Sequence, residues 1–476
     1  MSTDERAMRP SERHAELKEA AQRRTFRRTS LVLVIVLAVL AVGLGAANAT
    51  QGPKLSSASV NAEAAIARPG QRIVMDANQP VAAVDAADVR VVPQTPVEVA
   101  SDGATVTVRF TGLLHYATEY TVEVDVRGTA TGAAGTLRHT FATPSINVFS
   151  LQRTGAGDRI LRHDLAATDA DAAVMFEAPR IQEYAAIGSG VAAITLDESD
   201  APTLRVVFPD DGIDQAVTTA PGALRELHAA PVGDLVGFLV DVPAGDDPEA
   251  TDTSRLYLYD LGGAGIPTEV LGAAGESLAV IDWAFVPGTS SLVVQTPDHS
   301  MFLVDTSGTT PPTPLGQHTE LRGFLPGTAQ LLVADPTSGS LIDLATGETT
   351  VLDLPLPEVD SRLTPSSLLL LDDTSYVELY GNPFGTDASP YRSVLFATGP
   401  EGSRELFHPA SDTSRITRVC LSPNGQYVSV EVVASDATPD RYPMQPGYAD
   451  TTIYFVDTAT GAADRGVVGM LPDWCG

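Results

Sequence analysis

Residues 283–305 read WAFVPGTSSLVVQTPDHSMFLVD, and residues 323–343 read GFLPGTAQLLVADPTSGSLID. Each has an apolar run, Pro-Gly, a second apolar run, a short polar turn and a third apolar run ending in Asp. Short apolar runs bounded by turn residues read as strands of an antiparallel meander. Weaker versions recur from residue 146 onward: ILRHDL (160–165), TLRVVF (203–208), RLYLYDL (255–261), SVLFAT (393–398) and IYFVD (453–457). Most are followed by a Gly-containing turn and another short strand, as in ATGETTVLDL and ATGAADRGVV. The seven units are spaced 38 to 60 residues apart, the range of propeller blades with variable loops. One four-stranded unit cannot bury both of its faces alone, whereas radial stacking buries a continuous core.

The last unit contains CLSPNGQYVSVEV (420–432) followed by IYFVDTATG. The run Ser-Pro-Asn-Gly-Gln-Tyr before alternating apolar residues resembles the repeat of TolB-like (WD40-like) propellers, with Asn424 where that family usually has Asp. The resemblance implies the fold and a binding role, and no particular ligand.

Residues 53–144 differ. Alternating runs such as QRIVMD (71–76), TVTVRFT (105–111) and YTVEVDV (120–126) are separated by turn residues at intervals of about ten, as in a β-sandwich. Pro-Gly before a strand, then LLHYATEYTVEVDV and HTFATP, resembles the bacterial Ig-like domains of S-layer and other surface proteins. In that family such domains are mostly spacers or adhesive modules, which here implies a stalk.

At the N-terminus, LVLVIVLAVLAVGLGAA (31–47) follows Arg23, Arg24, Arg27 and Arg28. A run of this length after clustered arginines predicts a membrane-spanning helix over 30–50, with 1–29 cytoplasmic and the remainder outside. The alternative is a cleaved signal, because Ala47-Asn48-Ala49 fits the small-x-small pattern. The long, acid-containing leader favours the anchor. The expected fold class is therefore all-β: a transmembrane helix, an Ig-like sandwich over 53–145 and a seven-bladed β-propeller over 146–476. The expected location is the plasma membrane, single-pass, with secretion after cleavage near Ala49 as the alternative.

The 476 residues hold 30 basic and 60 acidic side chains, a net charge of −30. Such a surface repels phosphates and argues against nucleic acid. Cys420 and Cys475 are the only cysteines. Cys420 lies four residues after Ile416 and Cys475 four after Leu471, so both fall in one slot of neighbouring repeats. Residues 146–176 supply three strands rather than four. The C-terminal tail is expected to add the missing innermost strand, with a Cys420–Cys475 disulfide latching the ring; two free thiols are the alternative.

Loops joining second to third strands are long at 241–254, 381–391 and 434–451, and long loops on a rigid scaffold concentrate function. Tyr442, Met444 and Tyr448 in the last are candidate recognition residues. Residues just before each inner strand should ring the channel mouth: Glu183, Glu226, Asp282 with Trp283, Arg322, Arg362 and Arg418. They form either a polar binding site or inter-blade ion pairs. No G-x-S-x-G, H-E-x-x-H or Walker loop is present, and the histidines are scattered. Asp169-Ala170-Asp171 and Asp246-Asp247 with Glu249 and Asp252 offer carboxylates for Ca2+, but neither matches the twelve-residue calcium loop, and both read as acidic turns. No cofactor is expected. The leading function is a membrane-anchored extracytoplasmic binding or scaffold protein of the bacterial envelope, engaging a protein, peptide or glycan through the loop-rich face. The alternative is a propeller hydrolase or lyase acting on an extracellular or cell-wall polymer, using carboxylates such as Glu226 and Asp282 at the channel mouth. A purely structural surface protein is a third reading.

Overall fold

The computed structural model describes residues 26–39, 51–165, 172–243, 253–382, 392–411, 413–434, 436–463 and 465–475, with Cys475 in its backbone only. By internal contacts the chain divides into two compact units. The first holds most of residues 51–140, and the second holds 61–71, 110–120 and 141–476.

The first unit is built on two antiparallel sheets, one of four strands and one of three. Burial in most of its strands alternates with a period of two. In Glu119–Arg127 the buried positions are Tyr120, Val122, Val124 and Val126. This period of two is what one buried and one solvated sheet face require.

Among the described residues the second unit contains seven consecutive meander sheets in chain order, six of four strands and one of three. The innermost strands of the six begin at Ile181, Ala223, Asp282, Glu320, Thr364 and Arg415. Most of these first strands contact the first strand of the next sheet. The three-stranded sheet opens the series with Asn147–Thr154, and the C-terminal tail lies against it. Leu151 N–H donates to the Met470 carbonyl at 2.8 Å, and Met470 N–H donates back at 2.9 Å. The tail thus occupies the inner side of this sheet as a single bridge followed by a 3-10 turn over Asp473–Cys475. The same turn contacts the first strand of the seventh sheet. Consecutive sheets joined edge to centre and closed by the tail make this unit a β-propeller.

The repeated sequence has a local cause. Val286-Pro287-Gly288-Thr289 is a turn closed by Thr289 N–H to the Val286 carbonyl at 3.1 Å, with Gly288 at φ 73°. Leu325-Pro326-Gly327-Thr328 repeats it, with Gly327 at φ 69°. Proline pre-sets the second turn position, and glycine reaches the positive φ of the third without a Cβ clash. Where the third strand ends in or beside Asp, that Asp caps the next turn. Asp305 Oδ1 accepts from Ser307 N–H at 2.9 Å, Asp343 Oδ1 from Ala345 and Thr346 N–H, both at 2.9 Å, and Asp457 Oδ1 from Thr460 N–H at 2.8 Å.

The N-terminal expectation is corrected. The N-terminal helix is described over residues 26–39. No helix among the described residues is long and apolar enough to cross a membrane. The spanning anchor over 30–50, the single-pass plasma-membrane placement and the membrane partner therefore fall, and the membrane-anchored wording of the function with them. The acidic turns at 169–171 and 246–252 and most of the loops at 241–254 and 381–391 lie outside the described residues.

Candidate functional site

Five inner strands carry a register shift where two residues face one on the partner strand: at Ile181/Glu183, Arg225/His228, Leu321/Gly323, Pro365/Leu368 and Ile416/Arg418. Such a bulge bends the strand and re-aims a side chain. Glu226 sits in one of them with φ 51°, the left-handed region that non-glycine residues rarely occupy.

The bulged strands of the second, third and seventh sheets, Asp282 of the fourth and the C-terminal tail enclose a cavity of about 430 Å³. Glu183, Glu226, Asp282, Asp473, Arg225 and Arg418 contribute its charges. Glu183 is buried and accepts from Leu227 N–H at 3.1 Å. Burial pushes its carboxyl above the ordinary range. Glu226 is pushed up to about 7, first by burial and then by the negative charges of Asp282, Glu183 and Asp241, against the pull of Arg225. Asp282 is raised by burial, although its carboxylate accepts from Trp283 N–H at 2.8 Å. Asp473 is raised by burial to about 7 and accepts from Phe149 N–H at 2.8 Å, tying the tail to the first sheet.

The two lining arginines differ. Arg225 Nε reaches both Asp241 oxygens at 3.1 Å, and its guanidinium also pairs with Glu226 and donates to Ser254 Oγ at 2.9 Å. Arg418 lies across from buried Glu431, whose carboxyl is raised by burial and held down by Arg418. Glu431 also accepts from Leu471 N–H at 2.6 Å, where the tail turns at φ 52°.

Segment 436–451 borders the cavity through Met444 and Gln445. Arg153 holds it there. This buried guanidinium donates to Asp440 Oδ2 at 2.5 Å and to the Gln445 carbonyl at 2.9 Å. It also donates to the carbonyls of Ile181 at 3.2 Å and Gln182 at 2.6 Å, so first sheet, second sheet and loop meet on one side chain. Tyr442 is buried, its ring 3.7 Å from the Arg153 guanidinium carbon and 5.0 Å from that of Arg180. Its hydroxyl donates to Asp158.

Of the expected site residues, Glu226, Asp282, Arg418 and Met444 meet at this cavity, together with Glu183. Arg322 and Arg362 do not line it; they pair with Glu320 and Asp360, each two residues earlier, both at 2.5 Å. Trp283 is a core residue, 2% exposed, edge-on to His228 at 4.8 Å and to Phe285 at 5.2 Å. Tyr442 is an internal fastener rather than an exposed ring, and Tyr448 packs under Arg415 at 4.8 Å. Sequence reasoning missed Arg225, Arg153, Gln445 and Asp473. Cys420 is disulfide-bonded; the Cys475 side chain lies outside the described atoms, so that pairing stays an expectation. Among the described residues no group of three or more His, Cys, Asp or Glu is placed to hold a metal ion.

Seven meander sheets, closure by the tail and a polar cavity between the first strands define the second unit as a β-propeller. No family model matches the chain. No curated protein matches it in sequence. Similar solved structures include TolB from Acinetobacter baumannii, at 12% identity over 75% of this chain and 80% of that one, TM-score 0.32. The β-propeller domain of the Trilobed protease from Pyrococcus furiosus aligns at 10% identity over 76% of this chain and all of that one, TM-score 0.36. The acylaminoacyl peptidase of Pyrococcus horikoshii aligns at 9% identity over 75% of this chain and 51% of that one, TM-score 0.41. Likenesses this loose carry no weight; the propeller assignment rests on sheet order and closure.

Proposed function

We propose that the protein is a binding protein whose propeller channel mouth takes a protein or peptide partner by a cationic side chain. The observation that carries this reading is the convergence of Glu183, Glu226 and Asp282 on one cavity of about 430 Å³, where Arg225 is already committed to Asp241 and Glu226. Partly buried carboxylates that crowd one another are costly to ionise, and an entering cation offsets that cost. A guanidinium suits the site because its five fixed donors satisfy several carboxylates at once. Segment 436–451 forms the rim on this face. The two-sheet unit is read with it as an Ig-like spacer over 53–145, ahead of a propeller over 146–476.

The test is titration of the full chain with a short peptide bearing one central Arg, against the same peptide with citrulline. The expected result is saturable binding of the Arg peptide, at least tenfold weaker binding of the citrulline peptide, and loss of binding in Glu226→Gln/Asp282→Asn. Equal affinity for both peptides, or unchanged affinity in the double variant, overturns the reading. A hydrolase or lyase is the second reading, favoured by Glu226 lying near 7 beside Asp282, a pairing suited to proton transfer at neutral pH. On that reading Glu226→Gln keeps affinity for a polymer substrate and loses turnover.

A further inference from the structure

We propose a second, separate site: a pocket for a linear alkyl carboxylate, formed by the turns between first and second strands. Pro231, Pro287, Pro326 and Pro423 come from four of these hairpins and line one cavity of about 510 Å³, together with Phe324 and Leu113. All of its lining residues belong to the second compact unit. The size falls within the range of small-molecule pockets, roughly 300–1,000 Å³.

The chemistry of the wall selects the ligand. Proline has no N–H, so the four prolines present ring carbons and no donor. The lining hydroxyls are already committed: Thr328 donates to the Leu325 carbonyl at 2.9 Å, and Ser422 donates to Asn424 Oδ1 at 2.9 Å. The only charged lining residue is Arg68, which is exposed and follows the short helix Ala62–Ala67. Among the described residues no carboxylate pairs with it, in a chain with 60 acidic and 30 basic side chains. An apolar interior with one unpaired cation at its mouth is complementary to an acyl chain ending in a carboxylate. The overall negative charge of the protein does not forbid this, because charges beyond about 8 Å are screened at physiological salt. The site is independent of the channel-mouth reading, and either can fail without the other.

The experiment is isothermal titration calorimetry of the full chain with hexanoate, octanoate and decanoate, and with octanamide as the neutral partner of octanoate. Burial of the chain predicts about fourfold tighter binding per added methylene, hence about 15-fold between octanoate and decanoate. Octanamide binds at least fivefold more weakly than octanoate, and Arg68→Gln abolishes that difference while retaining the chain-length series. Ala67→Trp, at an exposed lining position, fills the mouth and removes binding with an unchanged circular dichroism spectrum. Absence of decanoate binding at millimolar concentration, equal affinity for octanoate and octanamide, or full binding by folded Ala67→Trp each overturns the proposal.

Discussion

Neutralising Glu226 should stabilise the protein at alkaline pH, although it removes a charged partner of Arg225. Glu226 titrates near 7 against an ordinary value of 4.5. At about 1.4 kcal/mol per pH unit, the full shift corresponds to about 3 kcal/mol at pH 8. The side chain remains 33% exposed, and solvent screening reduces the expected effect to about 1–3 kcal/mol. The sign follows from the direction of the shift. A carboxyl raised on folding contributes stability that is complete below 4.5 and is lost as pH climbs through about 7. Glu226→Gln removes that loss. The variant should therefore exceed the wild type in stability at pH 8 by about 1–3 kcal/mol, and the gap should shrink below about 1 kcal/mol at pH 5. Urea denaturation of both proteins at the two pH values measures it. The rise of Asp473 to about 7 is common to both proteins and cancels in the difference. A variant less stable than wild type at pH 8 would refute the reasoning. It would mean that the Arg225 pair outweighs the crowding by Asp282, Glu183 and Asp241.

Three further outcomes follow from packing. Gly237→Ala places a Cβ 2.3 Å from Cη2 of buried Trp283, so it should lower the urea midpoint by the equivalent of about 1–3 kcal/mol; an unchanged midpoint would contradict the observed packing. Met470→Ala removes a side chain 5% exposed at the ring closure, and should cost about 2–5 kcal/mol and speed protease cleavage of the C-terminal tail. Peptide mapping without reductant should recover Cys420 linked to Cys475, and reduction should lower stability by about 2–4 kcal/mol; recovery of both as free thiols removes the latch.

The features legible in the sequence were those with local causes. Pro287-Gly288 and Pro326-Gly327 announce their turns because the φ each needs is written in the residue itself. Asp305, Asp343 and Asp457 announce the next turn because each caps amides two or three residues on. Glu183, Glu226, Asp282 and Arg418 were reachable from the same regularity, since each lies at or near the start of an inner strand. Arg322 and Arg362 lie near the starts of inner strands too, but Glu320 and Asp360 take their charges, a competition that position in the repeat does not encode. Tyr442 reads as an exposed ring in a long loop, yet its partners Arg153, Asp158 and Arg180 lie far away in the chain. Asp473 sits in a tail that reads as a plain strand, and only ring closure brings it against Phe149 of the first sheet. The apolar run at 31–47 measures hydropathy, whereas crossing a bilayer also demands a long apolar helix, and among the described residues there is none.

The account is tested most directly by the pH dependence of Arg-peptide affinity, followed by fluorescence anisotropy from pH 5 to pH 8. A cation held by ionised Glu226 must displace its proton below about 7, so affinity should tighten between about 10- and 100-fold across this range, with the rise centred near 7. A flat profile, or tighter binding at pH 5, would show that the channel-mouth carboxylates do not hold the partner.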